Sequence, residues 1–147
     1  MKNYLEQCKL AFSTSTRNIS GLKIIAAIPA YNEAKYIGQV IRQTKPVCVL
    51  RTGRKYVHQV IVVDDGSTDE TAKEAKAAGA SVVKHKINMG KGVSINTAFQ
   101  IARQTKPFAM VLLDADGQHD PKEIPLLLEP LFQNGVNQRC PAFVAKK

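Results

Sequence analysis

Four apolar runs mark the chain: Lys23–Ile28, Val57–Val63, Ala80–Lys84 and Phe108–Leu113. Each is short, and Val57–Val63 is a near-continuous β-branched run of the kind buried on both faces of a parallel sheet. Between the runs the apolar residues return at helical spacing. Asn32 offers a cap to a helix over Glu33–Thr44, with Ile37, Val40 and Ile41 on one face and Pro46 as its end. Ser67 and Glu70 have the spacing of a capping box, and the helix they open runs to Ala78 with Ala72, Ala75 and Ala78 on one face. Gly79 supplies its stop. A helix after Gly92 reaches Arg103 with Ile95, Ala98, Phe99 and Ala102 inward. Asp120, Pro121 at the first helical position and Glu123 open a further helix, which Pro125 and Pro130 shorten or kink. Val47–Lys55 fits either a surface loop or a minor strand.

Strands alternating with helices predict an α/β fold: a three-layer α/β/α unit with a mostly parallel sheet and right-handed crossovers. In such sheets ligands bind beyond the carboxyl ends of the strands. Pro29–Glu33, Asp64–Asp69 and Asp114–Asp120 are polar clusters at three such ends, and they can converge on one crevice.

The most informative cluster is Asp114-Ala115-Asp116, which follows the run Phe108–Leu113 directly. On a continuing strand, positions two apart share a face, so both carboxylates would reach one point. Like charges that close repel, and a hard divalent cation such as Mg²⁺ or Mn²⁺ removes the conflict. Gln118 and His119 follow and are further candidates for a ligand or a phosphate contact. The plainer alternative is a polar turn, although Asp120 is separately available as a helix cap. Asp64 and Asp65 end the second strand, where one carboxylate can accept from a base or a ribose hydroxyl. Gly66 and Ser67 alone would satisfy a loop and cap. Lys91 stands between Gly90 and Gly92 ahead of a helix, a setting in which backbone and lysine can meet a phosphate, or a plain turn. His58 and His85 share no metal-ligand spacing and are expected at the surface. There is no GxSxG nucleophile elbow.

Composition adds limits. With 147 residues and 44% hydrophobic content the chain can build one domain with a real core. Aromatic residues are 6% and Trp is absent, so that core is aliphatic. The net charge of +9 favours anionic partners or simply solubility. Basic groups do not interleave with aromatics, so nucleic acid is not expected. Cys8, Cys48 and Cys140 are scattered, with no zinc spacing, which suits a reducing compartment. No apolar stretch approaches the ~20 residues of a membrane span, and the polar N-terminus is no secretory signal. A cytoplasmic location is the default expectation.

Pro29-Ala30-Tyr31-Asn32-Glu33, Val63-Asp64-Asp65-Gly66-Ser67-Thr68-Asp69, Asn88-Met89-Gly90-Lys91-Gly92 and Asp114-Ala115-Asp116-Gly117-Gln118-His119 occur in this order and at fitting distances. Together they resemble the family 2 glycosyltransferases, with the polyprenyl-phosphate sugar transferases, dolichyl-phosphate mannose synthase among them, nearest in motif. The resemblance covers about Lys23 to Phe132. It implies a GT-A fold and inverting transfer of a sugar from a UDP- or GDP-linked donor to an acceptor such as a polyprenyl phosphate at the cytoplasmic membrane face. It implies that Pro29, Tyr31 and Glu33 line the base and ribose pocket and that Asp65, or Asp64, contacts the nucleoside. Lys91, Asp114, Ala115 and Asp116 complete the donor site. By the same resemblance Asp114, Asp116 and Gln118 hold Mg²⁺ or Mn²⁺ on the diphosphate. No catalytic residue is assigned.

Two departures accompany the resemblance. Val47–Arg54 looks like an insertion where the family connects briefly. After Phe132 the family continues with an acceptor-binding half that the remaining residues do not match, so a truncated member with an incomplete C-terminal half is expected. The expected organisation is a leader over 1–21, a nucleotide-sugar-binding domain over 22–133 and an unassigned tail over 134–147. Two alternatives stand beside transfer: an inactive nucleotide-sugar-binding fragment, and a sugar-phosphate nucleotidyltransferase. The second is disfavoured because such enzymes carry a Gly-rich basic loop after the first strand, where this chain has Pro29–Glu33.

Overall fold

A computed structural model describes residues 23–45, 57–118, 120–133 and 142–145. The leader, the whole 46–56 segment, His119 and the three cysteines lie outside the described residues. The elements are β1 (Ile24–Ala30), α1 (Ala34–Thr44), β2 (Gln59–Asp64), α2 (Thr71–Ala77), β3 (Ser81–Lys84), α3 (Lys91–Thr105), β4 (Ala109–Leu112), a 3₁₀ turn (Pro121–Glu123), α4 (Ile124–Gln133) and β5 (Ala142–Ala145). The strands form one sheet in the order β3-β2-β1-β4-β5, every pairing parallel. The expected α/β class and parallel sheet are therefore present. The segment the sequence left unassigned contributes β5, paired to β4.

The period of a strand sorts the core into two layers. Ile24, Ala26 and Ile28 of β1 join Val60 and Val62 of β2 under α1, α2 and α4, whose Ile37, Val40, Ile41, Ala75, Ile124 and Leu128 are buried there. Ile25 and Ala27 join Ile61, Val63 and Met110 on the other face, beneath Ala98 and Ala102 of α3. β1, β2 and β3 run outward in one direction, and β4 then returns to the far side of β1. A right-handed crossover in the reverse direction needs its helix on the opposite face, which is why α3 changes sides. The reversal makes a topological switch point between β1 and β4, the place where open α/β sheets bind ligands.

Register decides what stands at that point. Ala30 at the end of β1 pairs with Asp64 at the end of β2. β4 ends at Leu112, opposite Ala27, so the chain after it rises beside the last residues of β1. Leu113 still donates to Ala27 O at 3.0 Å. Asp114 and Asp116 thus lie past the strand, and Ala115-Asp116 forms a turn. This corrects the expectation of carboxylates on a continuing strand: the alternation of a pleat no longer applies to them.

Helix capping also departs from the local patterns. Asn32 has φ 55° and does not cap α1, whose N-cap position is Glu33. Ser67 and Glu70 do not form a capping box, because α2 begins only at Thr71 and Glu70 is ion-paired to Lys73 at 2.7 Å. The two loops cap each other instead. Ser67 Oγ accepts from Asn32 N at 2.9 Å and Asn32 Oδ1 accepts from Thr68 N at 2.9 Å. Glu33 N donates to Thr71 Oγ1 at 2.8 Å and Ala34 N to Asp69 Oδ2 at 3.1 Å. Asp120 does accept from Lys122 N at 3.0 Å, with Pro121 buried beside it, but it opens a single 3₁₀ turn that leads into α4.

Candidate donor site

Beyond the carboxyl ends of the strands lies a cavity of about 290 Å³. β1 and the residues after it contribute Pro29, Ala30, Tyr31 and Glu33; the end of β2 contributes Asp65. The loop into α3 and its first turn add Asn88, Gly90, Lys91 and Ser94, and the turn after β4 adds Asp114, Ala115 and Asp116. The sequence candidates Pro29, Tyr31, Glu33, Asp65, Lys91, Asp114, Ala115 and Asp116 are therefore brought together. Asp64 and Gln118 are not among the lining residues.

Asp64 is fully buried under the loop that follows it. Its Oδ1 accepts from Ser67 N at 2.9 Å, and its Oδ2 lies 3.4 Å from Lys84 Nζ. Lys84 Nζ also donates to Ser67 O at 2.9 Å, so this pair fixes the turn. Asp65, one residue on, faces a different task. Its carboxylate accepts from Met89 N at 3.0 Å and Gly90 N at 2.7 Å, and it contacts His85 Nδ1 at 2.8 Å. Burial pushes its pKa up, but the bonds from His85, Met89 and Gly90 outweigh that and hold it below the usual carboxylate value. Gly66 lets the two loops meet: it has φ 73°, and a Cβ there would stand 2.4 Å from the carbonyl carbon of Ile87.

His85 was expected at the surface, and that expectation is corrected. Its side chain is only 9% exposed, and Nε2 lies 3.0 Å from Thr97 Oγ1 of α3. The imidazole thus bridges Asp65 and α3. No sequence spacing points to this, since Asp65, His85 and Thr97 are joined only by the fold. Ser94 was missed for another reason. It lies four residues before Ala98 on the inward face of α3, where its hydroxyl is a polar break in an apolar stripe.

The electrostatics suit a cation and an anion together. Lys91 Nζ donates to Asp114 Oδ1 at 2.6 Å. Asp116 Oδ1 accepts from Gln118 N at 2.9 Å, an arrangement that closes the turn and keeps the second oxygen out of that bond. Burial, then the negative charges of Asp116 and Asp69, raise the pKa of Glu33. Among the described residues no group of three or more His, Cys, Asp and Glu has metal-holding geometry. The donor set nevertheless fits a hard divalent ion of the Mg²⁺ type, which uses one or two carboxylates and takes its other oxygens from water and substrate phosphates. Accumulated negative charge at Glu33 and Asp116 is the observation that favours it.

The model of glycosyl transferase family 2 matches residues 25–147. The chain belongs to that family. An uncharacterized protein of Methanocaldococcus jannaschii, MJ1222, is 36% identical over 115 residues, covering 78% of this chain and 44% of that protein. An undecaprenyl-phosphate 4-deoxy-4-formamido-L-arabinose transferase of Pseudomonas aeruginosa is 35% identical over 116 residues, covering 75% and 32%. Among solved structures, the glucosyl-3-phosphoglycerate synthase of Mycobacterium tuberculosis superposes with a TM-score of 0.63 at 28% identity, covering 86% of this chain and 44% of that one. The same synthase has been crystallised with Mg²⁺ and UDP, and with Mn²⁺, UDP-glucose and phosphoglyceric acid. The chain spans less than half the length of these relatives. Its fold is that of the GT-A glycosyltransferases.

Proposed function

We propose that the cavity binds a UDP- or GDP-linked sugar with a divalent cation, and that the sugar is transferred with inversion to an acceptor such as a polyprenyl phosphate. The observation that carries this is the convergence of Glu33, Asp65, Asp114 and Asp116, from three strand ends, with Lys91 in one cavity. The homology to an undecaprenyl-phosphate sugar transferase supports the acceptor, and the neighbour crystallised with UDP-glucose supports the donor.

In this reading Pro29 and Tyr31 flank the nucleoside, and Tyr31, 44% exposed, offers its ring at the mouth. Glu33 accepts from the nucleoside's hydroxyl or N–H groups. Asp65 stays ionised and holds the Met89 and Gly90 amides, which sets the position of Lys91 and the start of α3. Asp114 and Asp116 hold Mg²⁺ or Mn²⁺, and Gln118 supports the turn that carries Asp116. When bound, the cation would offset the charge that develops on the departing nucleoside diphosphate. Lys91 adds a second positive charge on that side. An anionic phosphate acceptor attacks the anomeric carbon opposite the diphosphate and requires little help from a general base. The net charge of +9 suits a peripheral position on an anionic membrane face. No helix among the described residues is long and apolar enough to cross a membrane.

A thermal-shift series with UDP, GDP, CDP and ADP, with and without Mn²⁺, tests the site. UDP or GDP should raise the melting temperature in a Mn²⁺-dependent way, and Asp116→Ala should abolish the shift. An equal shift in that variant removes the metal assignment. Release of labelled sugar from the donor, with and without a lipid phosphate, tests transfer separately from binding.

A further inference from the structure

α3 begins without a side-chain cap, at Gly90, whose φ is 95°. Val93 N and Ser94 N both bond Gly90 O, at 3.0 and 3.2 Å. The opening of a 15-residue helix carries orphan amides and the positive end of its dipole. It lies on the donor cavity, and added methyl groups at Gly90 or Gly92 would meet nothing within 4 Å.

Ser94 stands one turn into this helix, at the floor of the cavity. It is 0% exposed, and its Oγ is buried with no hydrogen-bond partner. Other helix hydroxyls in the molecule behave differently. Thr44 Oγ1 donates to Val40 O at 2.7 Å, and Thr105 Oγ1 donates to Ile101 O at 2.9 Å. Bonding back to the carbonyl four residues earlier is the ordinary recourse of a helical Ser or Thr. At Ser94 that carbonyl is Gly90 O, which already receives two amides. A buried hydroxyl left without a partner is unfavourable, and an apolar alanine would suit the stripe that continues through Ala98 and Ala102 better.

We infer that Ser94 Oγ, together with the bare N-terminus of α3, is a hydrogen-bond site for an acceptor oxygen of the nucleoside diphosphate. This rests on the donor-site reading above. The start of α3 supplies donors, since its first amides and the Lys91 ammonium only donate and the serine hydroxyl can, whereas the carboxylates of the cavity, Glu33, Asp65, Asp114 and Asp116, come from the ends of other strands. The matching ligand atom is therefore a carbonyl oxygen of the base or a phosphate oxygen. Ser94 is then a specificity-determining residue whose hydroxyl is kept for the ligand at the expense of the unliganded fold.

Ser94→Ala tests this with the whole chain, by calorimetry and thermal shift in Mn²⁺ with UDP, CDP, uridine and inorganic pyrophosphate. The unliganded variant should melt at the same temperature or higher. Its dissociation constant for UDP should rise about 3- to 10-fold, the span of one hydrogen bond. A loss shared by uridine and UDP assigns the contact to a base carbonyl, O4 if CDP is spared and O2 if CDP loses as much. A loss shared by UDP and pyrophosphate but absent for uridine assigns it to phosphate. Unchanged UDP binding in the variant overturns the inference while leaving the donor site intact. Lowered unliganded stability with unchanged binding shows a structural hydroxyl and overturns it too. Failure of the wild-type chain to bind UDP, GDP, CDP or ADP removes the donor-site reading itself.

Discussion

Asp64 and Asp65 are chemically identical neighbours that the fold gives unlike work. Strand alternation sends them to opposite sides of the β2 end. Asp64 is enclosed with Ser67 and Lys84, whereas Asp65 reaches the cavity and gathers the Met89 and Gly90 amides. The lowered pKa of Asp65 makes this a pH-linked contribution. Because its folded value lies below the unfolded one, the stabilisation is present above about pH 4 and lost as pH falls through the folded pKa. Glu33 has the opposite sign. Its raised pKa means its contribution is full below the unfolded value and lost as pH rises through the folded one. Asp65→Asn should therefore melt lower at neutral pH and show a flatter decline on acidification than the parent chain. Parallel melting curves against pH for the two proteins would show that the carboxylate charge is not what holds the loop.

At the scale of elements, the helix starts show how far local signals reach. Asp120 and Pro121 cap the turn that follows them, since both partners are three residues apart or fewer. Asn32 and Ser67 have the right residue types for local caps and are used across loops instead, while Glu70 pairs with Lys73. Asp69 is the centre of that exchange. It accepts from Thr71 N at 2.9 Å and Ala34 N at 3.1 Å, and also bonds the Thr71 hydroxyl. Asp69→Ala should cost about 1–2 kcal/mol, the range of a lost helix cap, read by urea unfolding. It should also loosen the loop that carries Tyr31 and Glu33, so hydrogen exchange at Glu33 and Ala34 should quicken. Unchanged exchange there would show that α1 does not depend on its neighbour's loop.

For the molecule as a whole, the chain carries a net charge of +9 while the lining of its cavity is acid-rich. Lys86 and Lys91 stand in the segment that leads from β3 into α3, and Ile87 and Met89 between them are 68% and 48% exposed. A surface of this kind should meet an anionic bilayer through long-range attraction and weak apolar contact. Co-sedimentation with vesicles containing anionic lipid should be strong at low salt and fall steeply as ionic strength rises past about 0.5 M, where the screening length drops to a few ångströms. Equal binding to neutral vesicles would point to an apolar contact alone.

The alternation of apolar runs and helical spacing was enough to determine an α/β parallel sheet, because burial on two faces and one face leave different periods in the chain. Four short motifs, three beside strand ends and one ahead of a helix, were enough to place Glu33, Asp65, Lys91, Asp114 and Asp116 as candidates. Only the tertiary structure separated Asp64 from Asp65, carried Asp114 and Asp116 past the end of β4, enclosed His85 between Asp65 and Thr97, and left Ser94 Oγ without a partner. These are facts of strand register and of contacts between residues far apart in the chain, and no local pattern encodes them. A hydrogen bond across 35 positions, such as Asn32 N to Ser67 Oγ, exists only once the sheet has set both loops side by side.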